Sequence, residues 1–261
     1  MEVTKLYPGG KRKAATFSYD DGHLHDIRLL DLFQQYGVKG TFNLNSGWIM
    51  KPTDGLVTAD QVKELYAGQE VAVHCVTHPQ LPELSRDEIR REIADDMHNL
   101  SELVGYPVRG MAYPYGNYNE TTIEVMRELG IRYSRTCKDH GTFALPDKPL
   151  EWGATCHHNA PNLFALITDF AQTQQELALL YIWGHSFEFD REQKWDLAEA
   201  MCAAVGKLED TYFATNMEIL DYLDAAAQLK TDGGSVVNQA DVPVWISVDG
   251  TVHELAPGAA L

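Results

Sequence analysis

Positive charge is scarce in this chain. Its 261 residues carry 21 Lys and Arg against 38 Asp and Glu, a formal net charge of −17 at pH 7. A field of that sign repels phosphate backbones and anionic bilayers, so neither nucleic acid nor a membrane is an expected partner. Cysteine is sparse too. Four stand at 75, 137, 156 and 202, with no CxxC pair, and they read as reduced, structural thiols. No apolar run approaches the roughly 18 residues of a membrane span. The opening "MEVTKLYPGGKRKAATFSYD" lacks the apolar core of a secretory signal. Together these absences give a cytoplasmic expectation. No internal repeat and no low-complexity segment is found.

What is present is ordinary for a folded domain: 44% hydrophobic and 23% charged residues. The length suits one large α/β domain, or one with a small appendage. Strand-like and helix-like segments alternate. "AATFSY", "VKGTFNL", "EVAVH", "PVRGMAY", "IRYSRTC", "ALLYIWGH" and "TYFAT" read as strands. Helical periodicity falls between them, opened by capping boxes at Thr58–Gln61 and Ser85–Glu88 and closed by Gly37, Gly68, Gly105 and Gly130. "NLFALITDFAQ", after Asn162, "WDLAEAMCAAVGKL" and "MEILDYLDAAAQL" complete the helices. Residues 137–161, with three prolines, read as a long loop. The alternation predicts about seven parallel strands in a distorted barrel over residues 1–235. Residues 236–261 read as a C-terminal β appendage, with a hairpin turn at Asp249-Gly250.

The stretch "FSYDDGHLHD" ends a strand on two adjacent acids, Asp20 and Asp21, with no Lys or Arg inside it. His74 and His78 follow a third strand, in "HCVTHP". "AYPYG" follows a fourth and His185 a later one. In a parallel α/β barrel the C-terminal strand ends share one face, so these residues converge there. Two imidazoles four apart, read as one helical turn, suit a metal site. An added carboxylate leaves room on a borderline cation for water and substrate. Asp21 would then anchor the ion and Asp20 act as base. The plain alternative for Asp20-Asp21-Gly22 is a turn.

"SYDDG", "HCVTHP", "AYPYG" and "IWGHS" resemble, in order, the motifs of the NodB-type polysaccharide deacetylases, carbohydrate esterase family four. The resemblance runs from residue 15 to about 222. It implies a distorted (β/α) barrel and removal of N- or O-acetyl groups from a carbohydrate; the cytoplasmic expectation points to an acetylated small saccharide. It implies Asp21, His74 and His78 as ligands of a divalent metal, with Zn2+ ahead of Co2+, Ni2+ or Fe2+. It implies Asp20 as catalytic base, His185 as catalytic acid and the Tyr115 backbone N–H as oxyanion donor. Pro114, Tyr115, Trp152, Trp183 and His158 are the expected substrate contacts. His23, His25, His157, Trp48, Tyr118 and Phe187 are further candidates.

The chain departs from the family pattern in three places. Ala112 stands where the family has a base-orienting Arg, with Arg109 three residues earlier. Trp152 lacks the adjacent Asp that supports the acid. Trp183 replaces a small apolar residue two before His185, while Gly184 leaves space beside it for a substrate. Three rivals share parts of the pattern: non-haem iron oxygenases, a non-catalytic sugar-binding protein, and metal-independent amide and imide hydrolases. The α/β alternation opposes the first and the pair His74 and His78 the last.

Overall fold

The computed structural model describes residues 2–51, 53–232 and 235–261. The chain opens with β1 (Val3–Leu6) and then alternates. It runs through β2 (Lys13–Asp20), α1 (Asp26–Tyr36), β3 (Gly40–Leu44), α2 (Ser46–Ile49), α3 (Ala59–Leu65) and β4 (Glu70–Val73). α4 (Arg86–Val104), β5 (Gly110–Ala112), α5 (Glu120–Leu129) and β6 (Tyr133–Asp139) follow. Next come β7 (Trp152–Ala154), β8 (Cys156–His157), α6 (Leu163–Gln172), β9 (Ala178–Gly184), α7 (Ser186–Arg191) and α8 (Trp195–Gly206). The last elements are β10 (Thr211–Phe213), α9 (Asn216–Ala227), β11 (Leu229–Asp232), β12 (Ser235–Asn238), β13 (Val244–Val248) and β14 (Thr251–Leu255).

The two capping boxes form where the sequence puts them. Ser85 and Glu88 start α4, and Thr58 and Gln61 start α3. α4 stops at Gly105, whose φ of 83° is the left-handed value that glycine adopts freely. Its apolar stripe buries Ile89, Ile93 and Leu100 against the sheet, each burial stabilising by roughly 1.5–3 kcal/mol.

Parallel pairing runs in the order β7-β6-β5-β4-β3-β2-β9-β8, and β10 lies beside the start of β2. Only Thr155 separates β7 from β8, and its N–H donates to the Tyr181 carbonyl at 2.8 Å. The two ends of the ladder are thus consecutive pieces of one segment, so the sheet curls round. Counted once, that segment makes seven strands, but not the seven expected: it stands where a loop was read, and "TYFAT" gives only the short β10 beside β2. Residues 137–161 are therefore not one long loop. β6 runs on to Asp139, and 152–157 forms the piece that joins β6 to β9. Its residues, "WGATCH", carry too little β-branching for a strand to be read from them.

The interior of the curled sheet is aromatic and polar, with Tyr133, Trp152, Tyr181 and Arg135 all fully buried. Its N-terminal end is plugged by the first turn of α9. The Asn216 N–H donates to Thr41 Oγ1 at 3.1 Å and the Met217 N–H to Glu70 Oε2 at 2.9 Å. After α9, β11 pairs with β12, and β13 and β14 form a hairpin. Asp249 and Gly250 turn it with φ of 47° and 84°, the left-handed pair a tight hairpin needs. β1 adds to β13, so this sheet draws in the N-terminus. Among the described residues no helix is long and apolar enough to cross a membrane.

Candidate metal and acid–base site

Five polar residues meet at the C-terminal ends of the strands. Asp20 closes β2, and Asp21 follows at φ 79°. His74 leaves β4, and His185 leaves β9 as the N-cap of α7. His74 and His78 do not share a helical turn. They stand on a loop in which Cys75 (φ 66°) and His78 (φ 57°) are left-handed. α4 clamps this loop from one face. Asp96 accepts from the His74 N–H at 3.0 Å, and Glu92 accepts from the Thr77 N–H and hydroxyl at 2.9 and 2.8 Å. Non-glycine residues at positive φ cost energy, and Asp21, Cys75, His78 and Tyr115 all carry such a φ at this one site.

Asp21 Oδ1 lies 3.6 Å from His74 Nε2 and 3.8 Å from His78 Nε2. The three ligand atoms fall within 4.8 Å of one another. The His74 Nδ1 faces the Ala112 carbonyl at 2.8 Å. A proton on Nδ1 leaves the Nε2 lone pair free to coordinate. Burial keeps this imidazole neutral, with its pKa lowered to about 3. Asp21 Oδ1 is buried without a hydrogen-bond partner among the described residues. Burial and the neighbouring Asp20 push its carboxyl up to about 6. Two imidazoles and one carboxylate whose buried oxygen is orphaned fit a divalent cation of the zinc class.

Asp20 is in a different electrostatic setting. Burial alone would raise its carboxyl, but Arg135, His74 and His185 outweigh that and hold it at about 2. The Arg135 guanidinium, fully buried, pairs with Asp20 Oδ2, and Asn43 Nδ2 donates to Oδ1 at 2.8 Å. Sequence reasoning missed Arg135. It stands on β6 in register with Ala112 of β5, one strand beside the position where an Arg was sought. Arg109 is elsewhere, in an exposed pair with Asp221 of α9 at 2.6 Å. Trp183 lies flat under Arg135, with the guanidinium 4.4 Å from its ring, and its Nε1 donates to Asp139 at 2.7 Å.

His185 Nε2 lies 3.8 Å from Asp20 Oδ2, and its Nδ1 lies 3.5 Å from Glu188 Oε2. Burial would lower its pKa, but Glu188, Asp20 and Asp21 reverse that and raise it. Glu188 is a second residue not foreseen. Burial opposes its ionisation, yet His157, His158 and His185 hold it far below the usual carboxylate range. Its signal was present: His185 and Glu188 form the same N-cap-to-N3 spacing as Ser85 and Glu88.

The other expected contacts divide. Tyr115 projects into solvent at φ 57°, its ring 4.4 Å from that of His78, and Trp48 packs on the same imidazole. Phe187 sits between His185 and His23, and His23 stacks on His25 at 4.7 Å. Pro114 is buried beneath Tyr115. Tyr118 stacks on Tyr113 and bonds Glu151. Trp152 and His158 do not face a substrate. Trp152 is 1% exposed, wedged against Tyr133 and Tyr181. His158 is fully buried between Tyr19 and Phe189. It also fills the space beside Gly184, where a Cβ would lie 2.1 Å from its Nδ1. That room holds an imidazole, not a ligand.

Residues 8–134 match the family model described as polysaccharide deacetylase. That match covers just under half of the chain. Asp20, Asp21, His74, His78 and Tyr115 lie inside it, and His185 lies beyond it. The chain is similar to the peptidoglycan-N-acetylglucosamine deacetylase PgdA of Listeria monocytogenes, 35% identical over 134 residues. That similarity covers 50% of this chain and 27% of the relative. Chitin deacetylase 1 of Cryptococcus neoformans is 26% identical, over 44% of this chain and 23% of its own length. The chain thus spans about a quarter of these curated relatives.

Solved structures of this deacetylase type share the fold. A family 4 carbohydrate esterase from Streptomyces lividans, with acetate bound, overlays at a TM-score of 0.52 and 16% identity, covering 77% of this chain and 91% of that one. BA3943 from Bacillus anthracis, described as a pseudoenzyme of the same family, overlays at 0.55 and 20% identity, covering 84% and 68%. The fold by itself therefore does not guarantee turnover, and the side chains must be argued one by one.

Proposed function

We propose that this chain is a metal-dependent hydrolase that removes acetyl groups, N- or O-linked, from a carbohydrate. One observation carries the reading. Asp20, kept ionised by a buried guanidinium, stands beside an Asp21–His74–His78 cluster whose buried carboxylate oxygen has no hydrogen-bond partner among the described residues. A bound divalent cation, Zn2+ by the ligand set, would polarise the acetyl carbonyl and bring the pKa of a water near roughly 7.

The chain's own groups supply the rest. Asp20 accepts a proton from the attacking water, an event its lowered pKa makes available across the neutral range. The Tyr115 backbone N–H, at the turn after Pro114, would donate to the developing oxyanion, a role worth roughly 3–4 kcal/mol elsewhere. His185, with its pKa raised, gives a proton to the leaving nitrogen or oxygen. Tyr115, Trp48 and Phe187 offer apolar ring faces to a sugar. The four thiols are unpaired, which suits a reducing, cytoplasmic setting and with it a short saccharide.

Acetate release should be measured on a panel of short acetylated sugars, before and after metal is stripped and returned. The reading expects release that vanishes with the metal and returns with it. Metal held without acetate from any sugar would favour a carbohydrate-binding role instead, as in a pseudoenzyme.

A further inference from the structure

A second cluster of ligand atoms lies on the far side of the His185 ring. His157, His185 and Glu188 each offer one donor atom, and these lie within 4.8 Å of one another. We infer that they form a second divalent-cation site of the zinc class, and that filling it silences His185. The binding half of this inference stands alone. The regulatory half rests on the acid role proposed for His185.

The spacing suits coordination. Glu188 Oε2 lies 3.1 Å from His157 Nε2 and 3.5 Å from His185 Nδ1. Zinc–nitrogen bonds of about 2.0–2.1 Å put tetrahedral ligand atoms about 3.3–3.4 Å apart. His158 Nε2 also lies 3.1 Å from the same oxygen. One carboxylate oxygen has two lone pairs, so it cannot accept well from three imidazoles at once. His185 Nδ1 and both nitrogens of His158 are in fact buried without an aligned hydrogen-bond partner among the described residues. A cation shared by Oε2, His157 and His185 resolves that crowding, with His158 left to orient the carboxylate. The other carboxylate oxygen faces Arg191 at 3.5 Å. His157 is half-buried and its side chain reaches solvent, which gives an ion a way in.

The order of filling follows from one hydrogen bond. The Asn159 N–H donates to His157 Nδ1 at 3.1 Å, so in the metal-free chain the proton sits on Nε2. Seating an ion on Nε2 moves that proton to Nδ1, where it meets the Asn159 N–H and breaks that bond. The Asp21–His74–His78 cluster has no such opposition, since His74 Nδ1 already faces a carbonyl. The second site therefore fills second.

Its occupation changes His185 directly. A cation on Nδ1 takes the place of the proton that otherwise faces Glu188. The ring can then hold a proton only on Nε2, and giving it up would leave an imidazolate. Such a ring is too weak an acid to serve a leaving group. Excess zinc would then act as an inhibitor without touching the first site.

Apo protein dialysed against rising Zn2+, with bound metal counted by elemental analysis, tests both halves. The unaltered chain should take two equivalents in sequence. Asp21→Asn and His157→Ala should each take one, and the double variant none. Glu188→Gln should match His157→Ala, and circular dichroism of each variant checks that it is folded. Co2+ in place of Zn2+ should give a visible tetrahedral band for each site. The second equivalent should cut acetate release from N-acetyl sugars by about 10²-fold, the scale of one acid catalyst. His157→Ala should keep whatever rate it has at one equivalent when more zinc is added. A single equivalent lost with Asp21→Asn would overturn the second site and leave the first standing. A single equivalent lost with His157→Ala but kept by Asp21→Asn would uphold the second site and overturn the first. Two equivalents with undiminished release would overturn the regulatory half.

Discussion

Glu70 and Asp20 are both buried carboxyls of one barrel, held at opposite ends of its strands and with their pKa values pushed in opposite directions. Glu70 starts β4. Its oxygens accept from Thr41 Oγ1 and Tyr133 Oη at 2.8 Å and from the Met217 N–H at 2.9 Å. Burial exceeds what these neutral donors return, and the carboxyl is pushed up to about 7. Asp20 ends β2, is buried just as deeply, and is held at about 2 because Arg135 is beside it. Burial acts on the two alike, and the buried cation decides the outcome. The ends differ in strain too. Every Glu70 oxygen is satisfied, while the Asp20 end holds left-handed residues and orphaned polar atoms. One end is built to stay shut and the other to do chemistry.

Removing the cation should erase the contrast. Arg135→Leu leaves Asp20 buried and uncompensated, which should cost about 3–5 kcal/mol in urea unfolding. The sign of the pH effect follows. A carboxyl depressed in the folded state adds stability above its unfolded value near 3.8, lost as pH falls towards about 2. Without Arg135 that contribution disappears, and the acid limb of the rate profile moves to higher pH. Arg135→Lys should recover part of both. An unmoved acid limb in Arg135→Leu would separate Arg135 from the base.

Glu70→Gln tests the other end. A carboxyl raised in the folded state holds its proton more tightly there than in the unfolded chain. Stability is then lost as pH rises from about 4.5 through about 7, by on the order of 3 kcal/mol. Gln should flatten that slope and leave the rate profile where it was. A slope that persisted would place its origin in Asp26 or Asp96, both buried and both raised to about 7.

Glu188→Gln should change a profile more than a stability. In the proposed acid role His185 must be protonated, so the rate should fall as pH rises through its pKa. Glu188 raises that pKa. Its loss should start the alkaline fall at lower pH, seen on N-acetyl sugars and hardly at all on 4-nitrophenyl acetate, whose leaving group needs no proton. Arg109→Ala should do least. Its pair with Asp221 is exposed, worth about 0–1 kcal/mol, and acetate release should not change.

The converging residues were legible because parallel strands carry their C-terminal residues to one face. Asp20, Asp21, His74, His78 and His185 needed only that rule. Arg135 did not follow from it. It sits inside "IRYSRTC", where nothing along the chain says that its neighbour across the ladder is Ala112. Register between strands is a three-dimensional fact. Glu188 was within reach, since its spacing from His185 repeats a capping box already read at Ser85. Trp152 and His158 misled because an aromatic near a motif looks the same in sequence whether it lines the site or fills the barrel.

The division of labour between Asp20 and Asp21 is the centre of the account, and one paired measurement tests it: bound metal and acetate release for Asp20→Asn and Asp21→Asn. Asp20→Asn should keep the metal of the Asp21–His74–His78 cluster and lose acetate release by about 10²–10⁴-fold. Asp21→Asn should lose that metal, and its activity with it. Metal lost from Asp20→Asn and retained by Asp21→Asn would contradict the account and exchange the two roles.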